Sequence, residues 1–252
     1  MKSMLRAIKQ NAMLVPFLAT HRGLPRFECP VCAFRGPFAT KTILTGDRRN
    51  ARCPKCGSLE RHRIQHLVLK DLFANVDLST ARMLHFAPEH FFTAFFKGRV
   101  GSYETADIGM KGVDHKVDLR GLPFKDGSFD FVFASHVLEH VDEDAKAVSE
   151  IRRILSPAGI AVLPVPIVAE RTIEYPEANP FEEYHVRAPG LDYFDRYRVH
   201  FRKVELHRSS DFPEKNQCFI YEDRSRWPIP EAPLLPSMPG ARHEDIVPVC
   251  YV

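Results

Sequence analysis

The chain has 252 residues, of which 44% are hydrophobic and 27% charged, and it contains 13 Gly and 20 Pro. This composition excludes a wholly disordered chain, a collagen-like repeat and a low-complexity protein. The charge is uneven: residues 1–70 hold 14 Lys or Arg against 3 Asp or Glu, a net +11, and the remaining residues carry −8.

Residues 1–26 are predicted to form an amphipathic N-terminal segment, with a helix over residues 3–19 that packs on the body or touches a membrane surface. Lys2, Arg6 and Lys9 precede an apolar stretch, but Pro16 interrupts it, which disfavours a secretory signal peptide. No apolar run in the chain reaches the roughly 18–20 residues that a transmembrane helix needs.

Residues 27–60 are predicted to form a zinc ribbon. Cys29 and Cys32 form one C-x2-C pair, Cys53 and Cys56 form a second, and twenty residues separate the pairs. This spacing is typical of a structural four-thiolate zinc site. Two disulfides or a redox dithiol are the alternatives. Reduced thiolates imply a reducing compartment, so a cytoplasmic location is expected.

Beyond the cysteines the pattern becomes helical over residues 61–79 and then alternates between strands and helices. Apolar strands are predicted at residues 83–87, 103–108, 129–134 and 160–166, with a helix over 142–155. Continuous apolar strands between helices indicate a mostly parallel sheet covered on both faces. Residues 203–207 and 217–222 are expected to add an antiparallel edge hairpin, and the Pro-rich tail 224–252 to be extended or disordered.

Four motifs in order give the chain a family resemblance. They are VDLRGLPF at 117–124, DGSFDFV at 126–132, SHVLEHV at 135–141 and IRRILSPAG at 151–159. In this order they resemble class I S-adenosylmethionine-dependent methyltransferases, of the branch with an N-terminal zinc ribbon. The resemblance covers residues 80–223 and implies an α/β fold with a Rossmann-like, mostly parallel sheet and S-adenosylmethionine as cofactor.

The resemblance also implies a cofactor site at the carboxyl ends of the strands. Asp107 takes the family's position for the cofactor ribose, and Asp118 with the Leu119 N–H takes the position for adenine. Ala87 stands where the family has a glycine, and we expect that alanine cannot adopt the positive φ that glycine permits. Either a variant first loop binds the cofactor, which we favour because the ribose and adenine positions are present, or cofactor binding is lost. The remaining residues assigned to the cofactor are Glu89, His90 and Ser135.

Transfer to a hydroxyl also needs a base, for which histidine is suited near neutral pH. His136 and His185 are the candidate catalytic bases. Arg187, Tyr184 and His140 are assigned to the methyl acceptor. A guanidinium such as that of Arg187 is suited to a phosphate or carboxylate.

These assignments favour methyl transfer to a hydroxyl of a small molecule or a surface-glycan precursor. One alternative is an RNA methyltransferase whose basic zinc ribbon grips RNA, a mode with steep salt dependence. Residues 134–137 read ASHV and lack the N/D-P-P-Y/F motif of enzymes that methylate base amines, which disfavours exocyclic base amines as acceptors. A non-catalytic zinc-ribbon binding protein is the other alternative. The sequence gives no indication of the oligomeric state.

Overall fold

A computed structural model describes residues 14–43, 46–230 and 236–252. The described residues divide into two compact units. The cysteine unit lies within Met1–Leu67, Arg208–Leu234 and Gly240–Asp245, and the sheet unit within Val68–His207, Leu235–Pro239 and Ile246–Val252. These bounds differ from the predicted domains, because segments beyond residue 207 return to the cysteine unit.

Besides the helical residues 14–20, the described ranges contain fifteen strands and four α-helices. The strands are β1 Phe27–Glu28, β2 Arg35–Gly36, β3 Ala39–Ile43, β4 Gly46–Arg52, β5 Arg82–Phe86, β6 Ser102–Asp107, β7 His115–Lys116, β8 Phe129–Ala134, β9 Leu155–Val162, β10 Ile173–Asn179, β11 His185–Ala188, β12 Lys203–Arg208, β13 Ile220–Asp223, β14 Arg242–His243 and β15 Ile246–Tyr251. The helices are α1 Glu60–Asn75, α2 His90–Phe96, α3 Asp144–Ile154 and α4 Asp195–Arg198. Short 3-10 helices lie at Leu138–His140, Pro180–Glu182, Leu191–Phe194, Ser209–Asp211 and Glu214–Asn216.

The sheet unit is built on seven strands in the order β12-β15-β9-β8-β5-β6-β7. The strands β7, β6, β5, β8 and β9 are parallel neighbours, and β15 runs antiparallel to β9. From β5 the chain moves outward to β6 and β7, then returns to place β8 on the other side of β5. The strand order therefore reverses between β5 and β8, and such a switch point leaves a crevice at the carboxyl ends of the strands.

Burial on both faces explains the apolar central strands. Phe131, Val132 and Phe133 of β8 are fully buried, as expected of a strand covered by helices on both sides. Helix α3 places Val148 and Ile151 in the core cluster that contains Val132. It begins at Asp144, two residues after the predicted start, and β9 begins at Leu155, immediately after the helix ends.

The edge of the sheet differs from the sequence prediction. The strand Lys203–Arg208 is present, but the strand between it and β9 is Ile246–Tyr251, from the tail predicted to be extended or disordered. The other predicted member of the hairpin, residues 217–222, instead contributes β13, which pairs with β4 in the cysteine unit.

The cysteine unit contains a four-stranded sheet in the order β14-β13-β4-β3 and a small β1–β2 hairpin. Residues 14–20 are helical, and Leu14 and Leu18 pack against the buried cluster around Cys29, Phe34 and Phe38. The earlier part of the predicted N-terminal helix lies outside the described residues. Among the helices in the described ranges, none has the length and apolar character that crossing a bilayer requires.

Candidate active site

A cavity of about 410 Å³ opens at the carboxyl ends of β5, β6 and β8. Its wall includes Ala87 after β5, Asp107 at the end of β6 and His136 after β8, together with Asp118 and His140. The cavity therefore lies at the point where the strand order reverses. Its volume falls within the roughly 300–1,000 Å³ that small-molecule sites occupy.

The first loop has the left-handed backbone that the sequence analysis expected alanine to resist. Ala87 has φ +46°, and its N–H donates to the carbonyl of Ala106 across 3.0 Å. The expectation that alanine cannot take this conformation is wrong: the strand interaction holds it there at a conformational cost of about 1–2 kcal/mol. The loop consequently keeps the shape that a glycine would give it.

Asp107 organises the loop that follows β6. Its Oδ1 accepts the N–H groups of Gly109 at 2.7 Å and Met110 at 2.6 Å. These two bonds fix the orientation of the carboxylate while Asp107 lines the cavity. Its second oxygen, Oδ2, takes part in neither bond and can accept from hydroxyl donors of a ligand.

Asp118 lines the same cavity, and its carboxylate is paired with Arg120. The Arg120 side chain contacts both carboxylate oxygens, with Nη2 2.7 Å from Oδ2, and the Arg120 N–H donates to Oδ1 at 2.9 Å. These hydrogen bonds from Arg120 lower the pKa of Asp118 to about 2. The carboxylate therefore stays ionised at neutral pH. Leu119 beside it is 7% exposed and also lines the cavity.

His136 lies in the turn that follows β8. It lines the cavity, its backbone has φ +55°, and its N–H donates to the carbonyl of Pro164 across 2.8 Å. The ring Nδ1 lies 3.3 Å from Oε1 of Glu139, whose side chain is fully buried. A buried carboxylate on one ring nitrogen fixes the ring and favours a proton on that nitrogen, as in other base–carboxylate pairs.

His140 and His185 also lie close to Glu139. Their ring centroids are 4.6 Å apart with planes nearly perpendicular, and His185 Nε2 lies 4.0 Å from Glu139 Oε1. Burial lowers the pKa of His185 to about 4, against a smaller raising effect of Glu139. His185 is therefore neutral near pH 7. It does not line the cavity itself, whereas His140 does.

Arg187 does not have the acceptor-binding position predicted for it. The residue is 2% exposed, and Nη1 donates to the carbonyls of Leu138 and Val141 at 2.9 and 2.6 Å. Nη2 donates to the carbonyl of Asp142 at 2.8 Å, and Nε donates to Glu174 at 2.9 Å. The guanidinium thus holds the backbone that carries the cavity wall, and a substrate cannot reach it.

Four other predicted site residues lie off the cavity wall. Glu89 occupies the N-cap position of α2, and the ring of His90 stacks against Phe91 with centroids 3.9 Å apart. Ser135 is 5% exposed in the turn after β8. Tyr184 is 67% exposed between β10 and β11, at φ +65°.

Sequence reasoning missed three residues of the site. Glu139 had no predicted role beyond its place in the motif at 135–141, yet its buried carboxylate lies beside His136 and His185. Ile108 lines the cavity with its side chain 62% exposed, and a large apolar residue directly after a strand-end carboxylate was the available indication. Arg120 pairs with Asp118, and its position two residues later was visible in the sequence.

The four cysteines of the first pattern converge in the cysteine unit. Their sulfurs all lie within 4.8 Å of one another, and the Sγ atoms of Cys29 and Cys56, and those of Cys32 and Cys53, are 3.7 Å apart. Disulfide sulfurs would be about 2.0 Å apart, whereas four sulfurs around zinc at 2.3 Å are about 3.8 Å apart. The donor set therefore fits zinc.

The two cysteine turns have the same backbone geometry. Cys29 N–H donates to Phe34 O and Cys53 N–H to Ser58 O, at 2.8 and 2.9 Å. In return, Ala33 and Gly57 donate to the carbonyls of Cys29 and Cys53, and both have positive φ, at +57° and +82°. This repeated turn directs the two thiols of each pair to one point.

Comparison with known proteins finds matches for part of the sheet unit. Residues 99–163 match the family model described as a methyltransferase domain. Over 67 residues the chain is 39% identical to an uncharacterized 37.1 kDa protein in transposon TN4556 of Streptomyces fradiae. That alignment covers 27% of this chain and 19% of the relative, so the chain spans about a fifth of that protein's length.

Two solved structures are among those similar to part of this chain. One is an S-adenosylmethionine-dependent methyltransferase from Mesorhizobium loti, 13% identical, covering 77% of this chain and 100% of that one with a TM-score of 0.48. The other is phosphoethanolamine N-methyltransferase 2 from Haemonchus contortus, 18% identical, covering 62% of this chain and 40% of that one with a TM-score of 0.45.

Proposed function

We propose that the chain contains a class I S-adenosylmethionine-dependent methyltransferase domain, which the match of residues 99–163 and the order of the seven strands support, and that the protein methylates a hydroxyl group of a small molecule or a surface-glycan precursor. The supporting observation is the cavity at the switch point of the sheet. Two strand-end carboxylates, Asp107 and Asp118, share its wall with His136.

Three parts of the cavity fit the cofactor. Asp107 is oriented to accept the ribose hydroxyls through its second oxygen, the role that strand-end carboxylates have in dinucleotide folds. Asp118 and the Leu119 N–H face the adenine edge, and the exposed side chain of Ile108 supplies an apolar surface for the ring. The left-handed turn at Ala87 lets the backbone approach the methionine end. Bound there, S-adenosylmethionine supplies an electrophilic methyl group.

His136 is assigned as the base that takes the proton of the acceptor hydroxyl. It lines the cavity, and Glu139 Oε1 lies 3.3 Å from its ring Nδ1. Because a sulfonium is already a good leaving group, positioning supplies much of the rate and the base the remainder. His185, the other candidate, lies behind His140 and has no cavity surface of its own.

The cysteine unit is assigned a structural zinc ion held by Cys29, Cys32, Cys53 and Cys56. Four thiolate ligands close the coordination sphere, so the metal stabilises the fold and takes no part in methyl transfer.

Calorimetric titration with S-adenosylhomocysteine tests the cofactor site. We expect micromolar binding to the zinc-loaded protein, and at least tenfold weaker binding after Asp107→Asn. Asp126→Asn is the matched control, because this exposed carboxylate precedes β8 and pairs with Arg153. Absence of binding at millimolar ligand would contradict the proposal and favour a non-catalytic binding protein.

Turnover tests the acceptor class and the base. S-adenosylhomocysteine release is measured with a panel of sugars and hydroxylated small molecules, and separately with RNA. We expect turnover with the first panel and a loss of about 10²–10⁴-fold in His136→Asn, with cofactor affinity unchanged within threefold. Asparagine tolerates the left-handed backbone at this position. Turnover with RNA alone would overturn the acceptor class, and full activity of the variant would overturn the base.

A further inference from the structure

The side chains of Glu139, His140 and His185 converge next to the cavity. One donor atom from each lies within 4.8 Å of the others. Glu139 is fully buried, His185 is largely buried and His140 is exposed and lines the cavity. The cluster therefore has a protected inner side and an outer side open to ligands.

The three donors favour particular metal ions. Two imidazoles and one carboxylate form the ligand set of catalytic zinc sites with an open position. Imidazole nitrogen suits first-row transition metals, whereas magnesium and calcium favour oxygen ligands alone.

The backbone around the cluster is fixed before any ion binds. Glu139 and His140 lie in the 3-10 helix Leu138–His140, and His185 begins β11. Arg187, two residues further along β11, donates to the carbonyls of Leu138 and Val141. This guanidinium joins the two segments that carry the three donors, so their spacing is set by the fold.

We propose that Glu139, His140 and His185 bind a divalent transition-metal cation, with zinc as the reference ion, at the His140 side of the cavity. The ion leaves coordination positions open toward the cavity. There it binds the oxygen of the acceptor hydroxyl and makes the proton easier for His136 to remove, as metal ions do for bound water. This catalytic consequence rests on the proposed methyl transfer, whereas cation binding does not.

Metal stoichiometry tests the site directly. The full chain is dialysed against micromolar Zn²⁺ and its metal content is measured by mass spectrometry. We expect two zinc ions per chain, one in the cysteine unit and one here. Cys53→Ser should remove the first alone, and His140→Gln or His185→Gln the second alone. His200→Gln is the control, since this histidine of the same unit lies outside the cluster, and it should keep both ions.

Folding and function are followed separately. His140 is exposed, so His140→Gln should keep the circular dichroism spectrum and the S-adenosylhomocysteine affinity of the parent even if a buried-site variant misfolds. A single zinc ion per chain in the parent, or two in folded His140→Gln and His185→Gln proteins, would overturn the site. Two ions without any methyl transfer would contradict the proposed function and leave the cation site standing.

Discussion

Ala87 and Ala106 are joined across the central sheet by a 3.0 Å hydrogen bond, from the N–H of the first to the carbonyl of the second, while Ala87 has φ +46°. The bond keeps the first loop in a glycine-like shape with an alanine in it. A left-handed alanine costs about 1–2 kcal/mol, and glycine removes that cost while making the unfolded chain more flexible.

Ala87→Gly is therefore expected to stabilise the protein, by up to about 1 kcal/mol in the free energy of unfolding. Urea unfolding followed by circular dichroism measures the change. Ala106→Gly is the matched control: this alanine is buried within β6, so glycine there should destabilise. A less stable Ala87→Gly protein would show that the turn is unstrained.

Arg187→Lys is expected to destabilise the protein by about 2–4 kcal/mol, because the single nitrogen of a lysine cannot take the positions of Nε, Nη1 and Nη2 together and so leaves buried acceptors unpaired. Hydrogen exchange should accelerate in residues 138–142, whose carbonyls the guanidinium holds. Arg198→Lys, at a half-exposed pair with Asp195, serves as control. An unchanged stability with a raised KM for the acceptor would instead support the substrate role predicted from the sequence.

The sequence predicted the parts of the fold that local pattern determines. The strand Phe129–Ala134 was predicted with its observed bounds, because five of its six residues are apolar and turn sequences border the run. Which strands pair is not local information. The residues Ile246–Tyr251 contain Pro248 and follow a Pro-rich stretch, so nothing nearby indicated a buried strand beside β9.

The residues of the candidate site also divide into those that local sequence pattern predicts and those that it does not. Asp107, Asp118 and His136 follow strand ends, and the carboxyl ends of parallel strands meet at one edge, so their place in the cavity was predictable. Arg187 was not, because its carbonyl partners lie 45–49 residues earlier in the chain. A buried guanidinium and a substrate-binding guanidinium look alike in a sequence. The contacts of Glu139 were not predicted for a similar reason, since its neighbour His185 lies in another element.

His85 should make stability depend on pH. It is fully buried in β5, with Nδ1 2.8 Å from the Tyr103 hydroxyl, and burial lowers its pKa to about 3. An unfolded histidine titrates near 6.5. Between these values the unfolded chain binds the extra proton, so stability falls as the pH drops below about 6.5, by up to roughly 1.4 kcal/mol per pH unit.

His85→Phe should remove that dependence, because the ring of Phe96 and that of Phe133 already surround the position. We expect the loss of unfolding free energy between pH 7 and pH 5 to be about 2 kcal/mol smaller than in the parent protein. His200→Gln should leave the pH dependence unchanged. Equal pH dependence in the parent and His85→Phe proteins would show that His85 is not buried as a neutral ring.

Cys53→Ser is expected to remove the structural zinc and to unfold the cysteine unit, because coordination and folding are coupled at four-thiolate sites. The single Trp227 lies in that unit and reports its unfolding by fluorescence. Cys218→Ser is the matched control: this buried cysteine of the same unit lies outside the four-sulfur cluster and should leave the zinc bound.

Because the cavity is lined only by sheet-unit residues, the S-adenosylhomocysteine affinity of soluble Cys53→Ser protein should stay within threefold of the parent. A zinc-free Cys53→Ser protein with unchanged fluorescence and unfolding would show that the metal does not stabilise the unit.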